Sequence, residues 1–265
     1  MNMNEKKFDA NFEKLTALSD YFKKETMSKT VFMEIMNELA TILTDSTFTQ
    51  EQERRIADLF GDVVHPYLDY TFEHAIIIEA EIAKKITTLG EFKESSIAES
   101  FWHNMFYGLA SDEVSLGAIT KDDTVMQIGT GPLPLMAVLY HQNTGCSVTC
   151  VEKDITSVET SRAFIETLGL SDNIVVVHSM GQEVDCAGYT HVVVSQHTMA
   201  KPEIYAHVRS SVTPEAKVIV RTNAAIGDIF FKNEVEQMLD AASFKVIKRT
   251  PLGNKTTAAL LVEVV

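Results

Sequence analysis

Hydrophobic positions recur along this chain with two different periods, and the change falls near residue 120. Phe8, Phe12, Leu15, Leu18 and Phe22 stand three or four residues apart, as do Val31, Ile35, Leu39 and Ile42. That spacing puts each set on one face of a helix. Thr49 with Gln52, and Ser96 with Glu99, have the spacing of capping boxes and are expected to open two further helices. His65-Pro66 marks a boundary, because proline disfavours helical backbone in the residue before it.

Beyond Lys121-Asp122-Asp123 short apolar runs alternate with helical patterns. Strands are predicted at Thr124–Ile128, Ser147–Val151, Asn173–Val177, His191–Ser195, Ala216–Arg221, Phe244–Arg249 and Thr256–Val264. Helices between them are predicted to begin near Pro132, Ile155, Pro202 and Lys232. This alternation specifies an α/β fold with a mostly parallel, doubly wound sheet and ligands at the carboxyl ends of its strands. The last two strands are joined only by Pro251-Leu252-Gly253-Asn254, too short for a crossover, so they should pair antiparallel. The expected organisation is a helical domain over residues 1–120 followed by a sheet domain over 121–265.

The first predicted strand runs into Gly129-Thr130-Gly131-Pro132-Leu133-Pro134-Leu135. Two glycines allow a sharp turn and close approach of the backbone to a ligand. Pro132 suits the first helical position, where a missing N–H removes no bond, and Pro134 falls in the same turn. The next strand ends in Glu152, where an acid can take a ribose hydroxyl pair.

With its antiparallel final pair, this arrangement resembles the class I S-adenosylmethionine-dependent (Rossmann-like) fold. The usual loop there is an acid followed by G-x-G-x-G; here Gln127 stands in place of the acid and Pro132-Leu133-Pro134 in place of the third glycine. That variant is similar to nicotianamine synthase. So are Val218–Ala224 running into Ile229-Phe230-Phe231, the aromatic stretch Phe101–Tyr107 with Leu109 and Glu113, and Ile77-Ile78-Glu79-Ala80-Glu81. The chain most resembles the short bacterial branch that builds opine metallophores of the staphylopine type. The resemblance implies transfer of a 3-amino-3-carboxypropyl (aminobutanoyl) group from S-adenosylmethionine to an amino acid, with histidine the expected acceptor, and release of methylthioadenosine.

Residue by residue, the expected catalytic groups are Glu79 and Tyr107, with Glu81 in reserve. Helical neighbours of Glu79 are Phe72, Ala75, Ile76, Ile82, Ala83 and Ile86, all apolar. A carboxylate on such a stripe is costly unless paired or working. Glu81 has Lys84 and Lys85 in reach and reads as a solvated helix pair. Tyr107 has His103, Asn104 and Ser111 within helical contact, though an aromatic stripe also reads as core. Gly129, Thr130, Gly131 and Leu133 are expected to hold the methionine part of the co-substrate and Glu152 its ribose. Ser179, Met180 and Gly181 are placed for the adenine, with Ser195 and Gln196 opening onto the same crevice. His103, Glu113, His197, Arg221 and Asn223 are the expected substrate-binding residues.

Composition trims the alternatives. The net charge of −14 over 265 residues argues against a nucleic-acid partner, which needs a basic surface. No apolar run is long enough to span a bilayer, and the start of the chain has no apolar signal core, so a cytoplasmic protein acting on small molecules is expected, a homodimer being compatible with it. Cys146, Cys150 and Cys186 form no C-x-x-C motif and read as small buried residues; no metal is expected. Three rival readings stay open: an N-methyltransferase for small molecules, a nicotianamine synthase proper, and a catalytically silent S-adenosylmethionine-binding partner.

Overall fold

The computed structural model describes residues 3–23, 28–44, 48–90, 101–223, 235–250 and 257–265. It divides into two compact units, residues 1–75 with 223–232, and residues 76–222 with 233–265.

The first unit is helical. It contains α1 (Met3–Phe22), α2 (Lys29–Thr44), α3 (Gln50–Val64), a 3₁₀ turn at His65–Tyr67 and the start of α4 (Leu68–Leu89). The predicted apolar stripes of α1 and α2 form its core, with Phe8, Leu15, Leu18, Phe22, Phe32, Ile35 and Leu39 buried against Ile56, Phe60 and Val64. Phe22 stands edge-on to Phe32 and Phe60, at centroid distances of 5.9 and 6.1 Å, a favoured arrangement of ring quadrupoles. The Thr49–Gln52 capping box is formed. The Thr49 N–H donates to Gln52 Oε1 at 2.9 Å, and the Gln52 N–H donates to Thr49 Oγ1 at 3.3 Å. Its counterpart at Ser96 and Glu99 lies outside the described residues.

The second unit holds the end of α4, then α5 (Phe101–Gly117), β1 (Thr124–Ile128), α6 (Leu135–Thr144), β2 (Ser147–Glu152), α7 (Ile155–Thr167), β3 (Ile174–His178), β4 (His191–Val194), α8 (Lys201–Ser211), β5 (Lys217–Asn223), α9 (Val235–Ala241), β6 (Phe244–Arg249) and β7 (Thr257–Val264). Seven strands form one sheet in the order β3-β2-β1-β4-β5-β7-β6. β1 pairs parallel with β2 and β4, and β6 pairs antiparallel with β7, as the short linker required. Alternation along the strands sends Val193 and Ile219 to the face covered by α5, α6 and α7. Val192, Val194, Val218 and Val220 go to the face covered by α8 and α9. All three cysteines are buried and free, as their apolar settings predicted.

Two differences from the sequence reading have physical causes. α6 begins at Leu135, with Pro134 as its N-cap residue, and not near Pro132. Proline disfavours helical backbone in the residue before it, so Pro134 keeps Leu133 out of the helix. The division of the chain also falls near residue 75, where the sequence reading draws it at 120. The reason is α5, which packs along α6 and β7 and buries Leu109, Ala110 and Leu116 in the sheet core.

Thr49→Ala removes one half of the capping box. It is expected to destabilise the helical unit by about 1 kcal/mol, read as a lower urea midpoint.

Candidate active site

The strand order reverses between β1 and β4, since β1 continues through α6 to β2 on one side while β4 lies on the other. In an open α/β sheet that switch point, at the carboxyl ends of the strands, is where the crevice forms. Two loops meet there, residues 129–134 after β1 and residues 195–200 after β4.

The first loop is built on two left-handed glycines, Gly129 at φ +79° and Gly131 at φ +66°. It is tied to the neighbouring strand. The Gly129 N–H donates to the Val151 carbonyl at 2.8 Å, and the Gly131 N–H donates to Glu152 Oε2 at 2.9 Å. Ser161 Oγ donates to the Gly131 carbonyl at 2.8 Å. Glu152 Oε1 accepts from the N–H groups of Lys153 and Asp154, at 2.8 and 2.9 Å. A carboxylate has about four lone-pair sites, so Glu152 keeps capacity for one further donor. A Cβ on Gly131 would lie 2.6 Å from Glu79 Oε2, and one on Gly129 would collide with Thr198 Oγ1. Neither glycine admits a side chain.

Glu79 therefore reaches from α4 to the glycine loop. Around it on the helix, Ala75, Ala83 and Ile86 are buried. Desolvation is the main cause that pushes its carboxyl up to about 8; Glu152 adds to the rise and Arg221 opposes it. Glu81, two residues on, points away and is exposed. Tyr107 is half-buried against the α5-side core. The His103 side chain lies outside those described.

Glu113 and Arg221, both expected to hold substrate, instead hold each other. Arg221 Nε donates to Glu113 Oε1 at 2.7 Å and its Nη2 to Glu113 Oε2 at 3.0 Å. Arg221 Nη2 also donates to the Tyr140 hydroxyl at 2.8 Å, and that hydroxyl in turn donates to Glu113. Glu113 is fully buried and spends both oxygens on this pair. Burial works against the Arg221 charge, but Glu113 and Tyr140 more than offset it, and the guanidinium is held protonated. The same burial raises the Tyr140 phenol, keeping it neutral.

The network extends to the strand ends. Arg221 Nη1 donates to Ser195 Oγ at 3.4 Å, and Gln127 Nε2 donates to the same oxygen at 3.2 Å. Gln127 Oε1 and Thr130 Oγ1 are buried with no hydrogen-bond partner among the described residues. Unsatisfied polar atoms beside a glycine loop suit a ligand that supplies donors. Gln196 Oε1 accepts from Thr257 Oγ1 at 2.8 Å. His197 is pushed down to about 4, by burial first and then by Lys201 and Arg221, so it stays a neutral imidazole. Asn223 closes β5 and is buried.

After β3, the Ser179 N–H donates to the Glu152 carbonyl at 3.1 Å. Gly181 lies over the strand ends, where a Cβ would come within 2.6 Å of Ile128 Cγ2. Met180 is exposed, and the Leu133 side chain is buried in the core, which leaves only its backbone to face a ligand. Sequence reasoning noted Gln127 only as a replaced acid and passed over Tyr140, Thr198 and Lys201. Nothing in an apolar helix marks Tyr140; only the fold brings it to Arg221.

No family model matches the chain. It is similar to L-histidine 2-aminobutanoyltransferase of Yersinia pestis, 23% identical over 118 residues, and the match takes in 44% of this chain and 44% of that protein. Among solved structures it is similar to the nicotianamine synthase MtNAS in complex with MTA and tNA, at a TM-score of 0.78 and 20% identity, covering 96% of this chain and 98% of that one. A glutamate-to-glutamine variant of MtNAS in complex with S-adenosylmethionine matches at 0.78 and 21% identity, covering 95% and 97%. The glycopeptide N-methyltransferase MtfA complexed with sinefungin matches at 0.51 and 14% identity, over 60% of this chain and 86% of that one. The fold is that of the class I S-adenosylmethionine-dependent enzymes. The proteins it is similar to by sequence and by structure are thus an aminobutanoyltransferase and a nicotianamine synthase.

Two outcomes are expected of this geometry. Glu113→Ala leaves Arg221 buried without its counter-charge and should cost about 3–5 kcal/mol, measured by urea unfolding. Glu79 titrates near 8 in the fold against 4.5 for an ordinary glutamate, so the folded chain keeps a proton that the unfolded chain releases between those values. The stabilising contribution is complete below pH 4.5 and lost as pH rises through 8. Glu79→Gln should therefore gain stability over the wild type across that window, on the order of 1 kcal/mol or more, with no gain at pH 4.

Proposed function

We propose that this protein transfers the 3-amino-3-carboxypropyl group of S-adenosylmethionine to the amine of an amino acid, histidine first, releasing methylthioadenosine. The observation that carries the reading is the Glu79 carboxyl lying against Gly131 at the switch point, in a chain whose sequence and structure matches are an aminobutanoyltransferase and a nicotianamine synthase.

The residues present fit that co-substrate. Gly129 and Gly131 turn the loop at positive φ and bring Thr198 and Glu79 against its backbone, Gln127 Oε1 and Thr130 Oγ1 wait for donors, and Glu152 has room for a ribose hydroxyl. The sulfonium activates three carbons, so the protein has to choose the one that meets the nucleophile. Positioning is the main task. Glu79 is suited to receive the proton that the attacking amine loses. At about 8 its carboxyl is matched to an α-amino group, whose ordinary pKa is also about 8. Tyr107 is assigned the companion role of orienting that amine. The product is a nicotianamine-like opine that chelates metal after release, and the enzyme works in the cytoplasm on small molecules.

Purified protein given S-adenosylmethionine and histidine should yield methylthioadenosine and histidine carrying one aminocarboxypropyl group, both read by mass spectrometry. Nicotianamine from S-adenosylmethionine alone would keep the reaction class and replace the acceptor. S-adenosylhomocysteine with a methylated acceptor would sink the reading in favour of the N-methyltransferase fold that MtfA also shows.

Glu79→Gln and Tyr107→Phe should each lower kcat, by roughly 10²- to 10⁴-fold for the glutamate. A bound cation favours the ionised Glu79, as Arg221 does, against burial and Glu152, which favour the protonated form. Affinity for S-adenosylmethionine should thus rise with pH up to about 8 in the wild type and stay flat in Glu79→Gln, as calorimetry would show.

A further inference from the structure

Lys201 opens α8 directly behind the β4 loop, and that loop is seated on the glycine loop. The Ser195 N–H donates to the Ile128 carbonyl at 3.0 Å, Thr198 Oγ1 donates to the same carbonyl at 3.3 Å, and Thr198 fills the space over Gly129. Lys201 is half-buried, yet no carboxylate pairs with it among the described residues. Burial alone displaces its ammonium, down to about 8, with no acid acting to hold it up. A lysine is strongly hydrated, and holding one partly desolvated without a counter-charge is unfavourable unless an anion arrives.

The cations around it do not play that part. Arg221 is spent on Glu113, and His197 is neutral. In a chain of net charge −14, Lys201 is a positive group beside the β4 loop with no carboxylate paired to it among the described residues. Glu79 and Glu152 supply negative charge on the glycine-loop side of the same crevice. An amino acid is a zwitterion, and the glycine loop and the start of α8 supply charges of both complementary signs.

We propose that Lys201 is the carboxylate-binding residue of this site, its ammonium taking the α-carboxylate of an amino-acid substrate. The inference rests on the aminocarboxypropyl-transfer reading, which brings two such carboxylates, one on the acceptor and one on S-adenosylmethionine. Both have the same chemistry.

The experiment compares wild type with Lys201→Met and Lys201→Gln, both confirmed folded by thermal unfolding, on ligands with and without the carboxylate. One arm measures KM for histidine and for histidinamide; the other measures the calorimetric Kd of S-adenosylmethionine and of its decarboxylated form. Loss of a charged hydrogen bond should raise one of these constants about 10- to 100-fold. The wild type should discriminate against the matching carboxylate-free ligand by a similar factor, and the variants should not. Lys201→Arg should recover part of the discrimination. The arm that moves tells which carboxylate is held. Discrimination that persists unchanged in both variants overturns the proposal. A wild type that releases no methylthioadenosine overturns the reaction reading instead, and the calorimetric arm still decides on Lys201.

Discussion

A guanidinium buried inside a sheet domain stands only if its charge is answered, and Arg221 is answered by Glu113. That pair joins β5 to α5, and the Tyr140 hydroxyl adds α6 to the same knot. Isolated, either charge would be strongly destabilising at that depth; together, with their hydrogen bonds satisfied, they hold two helices and a strand in one register. The ends of β1 and β4 are tied to that fixed point. Ser195 takes its place from Arg221, and Gln127 takes its orientation from Ser195.

The pair also sets the electrostatics above it. Arg221 draws Glu79 down while burial and Glu152 push it up, and the balance leaves a carboxyl that titrates near neutrality. The same guanidinium helps keep His197 uncharged. The cationic co-substrate of the proposed reaction would gain from this. Positive charge brought close to Glu79 would favour its ionised form, as Arg221 already does.

The proposed reaction is one of positioning and asks for a well-fixed site. Where one sulfonium offers three carbons, the outcome depends on where the acceptor amine is held, to within fractions of an ångström. The glycine loop supplies closeness, the delayed start of α6 supplies its shape, and Glu79 closes over Gly131.

Much of this was legible in the sequence, because much of it is local. Strand runs such as Thr124–Ile128 and Phe244–Arg249 announce themselves by composition, and the short linker before β7 could only make an antiparallel pair. Glu79 stood out because an acid on an apolar helical stripe needs a reason wherever the helix packs. Glycines before two prolines marked the loop, although the residue-before-proline constraint on Leu133 moved the helix start to Leu135. What the sequence could not determine is pairing at a distance. Glu113 and Arg221 are 108 residues apart, and each alone reads as a substrate contact. Tyr140 has no signal at all within its own helix. Lys201 reads as a surface lysine until the β4 loop is seated against the glycine loop. Side-chain chemistry and local periodicity are written in the chain; whether a charge faces a ligand, a partner or nothing is decided only when the sheet brings remote segments together.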